Sequence, residues 1–119
     1  MVPNSMNIIQ VKGRLVSEPV LKTFDSGKKL MSFSLMYYTR QTTDKEGSHA
    51  NFIEVDAWEK LAEIFHPLLK KGLEVVVNGA LVQRRWKDNL EKKQSRFQIT
   101  AETLMISDLN FSTKREEAA

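Results

Sequence analysis

The chain has 119 residues, 41% of them hydrophobic and 28% charged, enough for one domain that buries roughly 65% of its unfolded surface without covalent help. It has no cysteine and only two histidines, His49 and His66, so a disulfide framework, a thiolate zinc site, a thiol nucleophile and a multi-histidine centre are excluded. The formal charge is a modest +3, and no apolar run approaches the ~18 residues of a membrane span.

The opening MVPNSMNIIQ has neither a basic start nor a long apolar stretch, so a secretion signal is not expected and an intracellular setting is. Residues 1–6 read as a flexible extension. Residues 7–16 (NIIQVKGRLV) are apolar and β-branched, with Ile9, Val11 and Leu15 as inward positions. Gly13 interrupts them, which predicts a bulge or bend. After Pro19 come a short strand-like VLKTF and a turn at Asp25-Ser26-Gly27. Residues 30–38 (LMSFSLMYY) alternate, with Met31, Phe33, Leu35 and Tyr37 on one face and Ser32, Ser34, Met36 and Tyr38 on the other. Residues 39–50 are polar and read as a mobile loop.

Residues 51–58 (NFIEVDAW) form a period-2 strand. Ile53, Val55 and Ala57 face the core, so Phe52, Glu54, Asp56 and Trp58 share the opposite face. In residues 59–71 (EKLAEIFHPLLKK) the apolar positions Leu61, Ile64, Phe65 and Leu68 switch to helical spacing. Lys70 and Lys71 suit a helix C-terminus and Gly72 a cap, while Pro67 bends or splits the helix. Residues 73–82 and 97–106 are two further strands. A slip of phase between Ala101 and Leu104 predicts a bulge in the last one. Residues 109–119 have no core pattern and read as a flexible stub.

The expected architecture is therefore all-β: a five-stranded OB-fold barrel, residues 7–108, with one α-helix between the third and fourth strands. Such barrels present a curved face and two long loops to oligonucleotides or oligosaccharides.

The charge is unevenly placed. Residues 83–97 (QRRWKDNLEKKQSRF) hold six cations against two anions, a net +4, and the other 104 residues together carry −1. This segment reads as the loop between the last two strands, and Trp86 lies inside it among Arg84, Arg85 and Lys87. An indole in such company either stacks on a base while the cations hold phosphates or props the barrel end. Trp58 and Phe52, outward on their strand, suit base stacking or an oligomer contact. Tyr38, at a strand end, is a further outward aromatic, though tyrosines there need no ligand. Lys22, Arg40 and Lys71 extend a phosphate track or serve solubility alone. Glu54 and Asp56 have the spacing of a weak divalent-metal pair, but lack a third ligand. No Walker loop or nucleophile elbow is present.

Residues 7–22, the run NFIEVDAWEKLAEI, LLKKG and GALVQRRW together resemble the bacterial single-stranded DNA-binding proteins, over about residues 7–108. The resemblance implies an OB-fold that assembles as a homotetramer and wraps single-stranded DNA without sequence preference. It implies roles in replication, recombination and repair in the bacterial cytoplasm, at the nucleoid, with no catalysis, cofactor, metal or membrane. It places Trp86, Trp58 and Phe52 at base-stacking positions and Arg84, Arg85, Lys22 and Lys71 at or near phosphate contacts. The chain departs from the family at Gln41, near a further stacking tryptophan, and at Glu54, where a basic residue is common. It also ends at STKREEAA instead of a long tail with an acidic tip that recruits replication and repair proteins. The alternative expectation is a tailless OB-fold replication-restart adaptor, typically a dimer.

Overall fold

The alternation of residues 30–38 and 51–58 builds the centre of the molecule. In the computed structural model, which describes residues 5–39 and 49–107, these residues form β3 (Lys29–Thr39) and β4 (His49–Trp58). The two pair antiparallel from Leu30↔Trp58 to Thr39↔His49. Their inward side chains Met31, Phe33, Leu35, Val55 and Ala57 are buried, as the period-2 pattern requires. The remaining elements are β1 (Ile9–Leu15), β2 (Val20–Thr23), α1 (Lys60–Phe65), β5 (Glu74–Lys87) and β6 (Lys93–Ile106). The extensions expected at 1–6 and 109–119 and the loop expected at 39–50 fall largely outside the described residues.

The strands run in the order β1-β5-β6-β4-β3-β2, and β1 also pairs with β3, so the sheet closes into a ring. Five expected strands become six segments because the first is delivered in two pieces. Leu15 pairs with Leu35, and Val20 then pairs with Ser32 further along the same partner. Pro19, with no N–H to donate, lies in the gap. β1 pairs with β5 straight through Gly13, so the residue makes no bulge. Any Cβ there would run into the carbonyl oxygen of Met36, so glycine is required where β1 crosses onto β3 and the ring closes.

The bulge expected near Ala101 is present. Asn78 pairs with Thr103 and Gly79 with Ala101, leaving Glu102 as the extra residue of β6. Inside the ring, Leu15, Val75, Val77, Ile99, Ala101 and Leu104 complete the core with the β3 and β4 residues.

The helix is shorter than its apolar spacing predicts. It stops at Phe65, because Pro67 has no N–H to continue the ladder. Ala62 and Leu69 are buried in place of Ile64, which is exposed. Gly72 does not cap the helix. It sits at φ +87 in the turn before β5, and its N–H donates to the Leu15 carbonyl at 2.8 Å.

Candidate nucleic-acid interface

Because β4 lies between β3 and β6, its outward side chains become the middle of a broad face. Phe52, Glu54, Asp56 and Trp58 stand beside Met36, Ser34, Ser32 and Leu30 of β3. The parallel pairing of β4 with β6 sets Gln98 beside Glu54 and Thr100 beside Asp56. At the centre is a polar tie across three strands. The Ser32 hydroxyl donates to Asp56 Oδ1 at 2.8 Å, and the Gln98 amide donates to Asp56 Oδ2 at 2.5 Å. Asp56 and Gln98 are only 9% and 5% exposed, so these partners meet the requirement that buried polar groups be paired. Asp56 is thus committed to the sheet. Among the described residues no group of three or more His, Asp or Glu side chains is placed to hold a metal ion.

One end of the face is an aromatic stack. Phe24 lies against Trp58 with centroids 5.8 Å apart and planes 21° from parallel. Lys22, which pairs with Leu30, places its ammonium 4.8 Å from the Phe24 centroid, a cation–π distance. Trp58 remains 40% exposed. Phe52 and Tyr38 are 61% and 63% exposed, nearer the β3–β4 connection, and Tyr37 is half-buried as alternation predicts.

The basic segment is not the loop expected from the sequence. β5 and β6 stay paired out to Lys87↔Lys93, so most of it is a two-stranded ribbon projecting from the ring. The apolar signal ends with the core while the hydrogen-bond ladder continues with polar residues. Only residues 88–92 turn, and Asp88 holds that turn. Its carboxylate accepts from the N–H groups of Leu90 and Lys92, both at 2.9 Å, and from the Gln94 amide at 3.1 Å. The Lys92 N–H above all holds the Asp88 carboxyl below its ordinary value; desolvation opposes it, and the bonds from Gln94 and Leu90 add to the lowering.

Alternation gives the ribbon two different faces. Arg84 and Trp86 stand with Arg96 and Gln94, while Arg85 and Lys87 stand with Ser95 and Lys93. Since Val82 pairs with Gln98, the Arg84–Trp86 face continues the outward face of the ring. Trp86 is 43% exposed, and the Arg96 guanidinium lies 5.6 Å from its ring centroid.

The fold therefore brings Trp58, Phe52, Tyr38, Trp86, Arg84 and Lys22 onto one side. It sets Arg85 and Lys87 on the ribbon's other face, and residues of both faces, Arg85, Lys87 and Lys93 with Trp86 and Gln94, line a groove of about 500 Å³. Lys71 lies in the turn before β5, at the opposite end of that strand from Trp86. Arg40 falls outside the described residues. Sequence reasoning missed Phe24 and Arg96. Period-2 counting from Lys22 would have put Phe24 beside Trp58, and pairing the ribbon about its turn would have set Arg96 opposite Arg84.

The strands thus close into a ring with one outward face of aromatics edged by cations. The chain belongs to the single-strand binding protein family, whose model matches residues 6–107. It is 33% identical over 98 residues to a single-stranded DNA-binding protein of Corynebacterium glutamicum, a match covering 79% of this chain and 44% of that one. It is 34% identical over 105 residues to the single-stranded DNA-binding protein of Aquifex aeolicus, covering 85% and 69%. The chain thus spans less than half the length of the first relative. Among solved structures, a Plasmodium falciparum SSB complex with ssDNA superposes with a TM-score of 0.82 at 24% identity, covering 91% of this chain and 100% of that one. That likeness, with the strand order and helix position, establishes the OB-fold expected from the sequence.

Proposed function

We propose that the chain binds single-stranded DNA without sequence preference, residues 7–108 forming the binding unit, and shields exposed strands during replication, recombination and repair. The observation that carries this reading is the single outward face on which Trp58, Phe52, Tyr38 and Trp86 are exposed together, with Lys22, Arg84 and Arg96 beside them. Every base offers a π face, so stacking on these rings tolerates any sequence. A duplex hides those faces, which favours the single strand. Phosphates then meet the cations at the ends of the face and release counterions. The work is binding, with no bond made or broken. Family membership supports assembly as a homotetramer, which would join several such faces into one path.

The test is a titration with oligo-dT at two salt concentrations, reading tryptophan fluorescence with particle mass measured alongside. Quenching at low salt is expected, with an affinity that falls as salt rises by about 0.7 in logarithmic slope per phosphate neutralised. The mass should be that of four chains. Absence of quenching at low salt, or equal affinity for duplex, would overturn the reading.

A further inference from the structure

Glu54 stands in the middle of the aromatic face, half-buried, with Phe52 and Asp56 as its same-face neighbours along β4, Ser34 beside it on β3 and Gln98 on β6. Its setting differs from that of Asp56 two residues away. Both Asp56 oxygens are occupied by Ser32 and Gln98, whereas among the described residues no hydrogen bond or ion pair engages the Glu54 side chain. The cations of the face lie towards its ends, Lys22 near Trp58 and Arg84 and Arg96 on the ribbon. The centre therefore presents a carboxylate with acceptor capacity only.

We propose that Glu54 is a base-discriminating residue, favouring cytosine, adenine and guanine over thymine where a base lies between Phe52 and Trp58. The inference rests on the single-strand reading above and names a preference within it. Cytosine, adenine and guanine carry exocyclic amino groups on their edges, while thymine presents carbonyl oxygens. A carboxylate accepts a charge-assisted hydrogen bond from an amino group and is repelled by the carbonyls that flank the thymine N3–H. The same charge repels phosphate, so the backbone is driven towards the cations at the ends and the bases are turned towards the centre. Glu54 thus acts on both orientation and identity.

The experiment compares oligo-dC with oligo-dT of equal length by fluorescence titration at fixed salt. It uses the full chain, Glu54→Gln, Glu54→Ala and, as a control, Glu102→Ala at the exposed bulge residue of β6. The two oligonucleotides differ in self-stacking, but that difference cancels when each variant's dC-to-dT affinity ratio is divided by the wild-type ratio. Glu54→Ala should lower the ratio roughly five- to tenfold. Glu54→Gln, which keeps a neutral acceptor, should fall between it and the wild type. Glu102→Ala should leave the ratio unchanged. Oligonucleotides bound with the wild-type ratio by both Glu54 variants would overturn the inference and leave the binding reading intact. An equal fall in Glu102→Ala would overturn it as well, since the effect would then be one of net charge. A wild-type chain that binds neither oligonucleotide would overturn the reading beneath it.

Discussion

Trp58 and Trp86 expose nearly the same fraction of their surface, 40% and 43%, yet the chain holds them in opposite ways. Trp58 ends a strand paired on both sides, next to the buried Ala57, and its ring lies along Phe24. Trp86 stands on a two-stranded ribbon beyond the core, with the Arg96 guanidinium over its ring. A two-stranded ribbon is marginal by itself, so less of the fold holds Trp86 in place than holds Trp58. The ring thus supplies a preorganised stacking platform at low entropic cost. In the proposed function the ribbon is then the platform with room to adjust to the strand it meets. Exposure alone says that an aromatic is available; what lies behind it says whether it waits in place.

Removing each indole is the strongest way to break this comparison. Trp58→Ala takes away a stacking platform and the packing against Phe24. It should weaken oligo-dT binding by about 1–3 kcal/mol and lower folding stability by about 1–2 kcal/mol. Trp86→Ala should weaken binding by about the same 1–3 kcal/mol while stability stays within about 0.5 kcal/mol of wild type. Titration and denaturant melts on the two variants separate these outcomes. Equal losses of stability would mean that the ribbon is as firmly built into the fold as the ring. A smaller effect sharpens the ring side. Asp56→Asn can keep both partners, its Oδ1 accepting from the Gln98 amide and its Nδ2–H donating to the Ser32 hydroxyl, but it replaces two charge-assisted hydrogen bonds of the Ser32–Asp56–Gln98 tie by weaker neutral ones. Urea unfolding should show a loss of about 1 kcal/mol, with stacking by Trp86 undisturbed.

The two regions were also unequally legible in the sequence. β3, β4 and the bulge of β6 could be read because each strand has a buried side, and burial writes a period of two into the residues. The outward aromatics Trp58, Phe52 and Tyr38 followed as the complement of that pattern. In the ribbon neither face is buried, so charge density was visible while strand structure was not. Which cations share a face with Trp86 depends on the register that the Asp88 turn imposes, and counting charges could not separate Arg84 from Arg85. Phe24 escaped notice because β2 has no buried side, so no apolar alternation marks which face its residues take. The helix was over-read because Leu68 kept the helical spacing beyond Pro67, although the proline cannot supply the hydrogen bond that the spacing implies.

The smallest expected effect lies at the ribbon tip, where Asp88 alone gathers three N–H donors. Those bonds, led by the Lys92 N–H, lower its folded-state value below the ordinary 3.8. A carboxyl lowered on folding contributes stability above its unfolded value and loses it as pH falls through the folded one. The Asp88 contribution is therefore complete at neutral pH and disappears only below the ordinary aspartate range. Two single-tryptophan variants, Trp58→Phe and Trp86→Phe, report on the ribbon and the ring separately. On acidification in that window the Trp86 emission should shift while the Trp58 emission stays level, and Asp88→Asn should remove the Trp86 transition. A coincident shift of both emissions would show the tip melting with the whole domain. The contrast between a fixed and an adjustable platform would then lose its basis, because a ribbon that loosens only when the ring does has no freedom of its own to offer a bound strand.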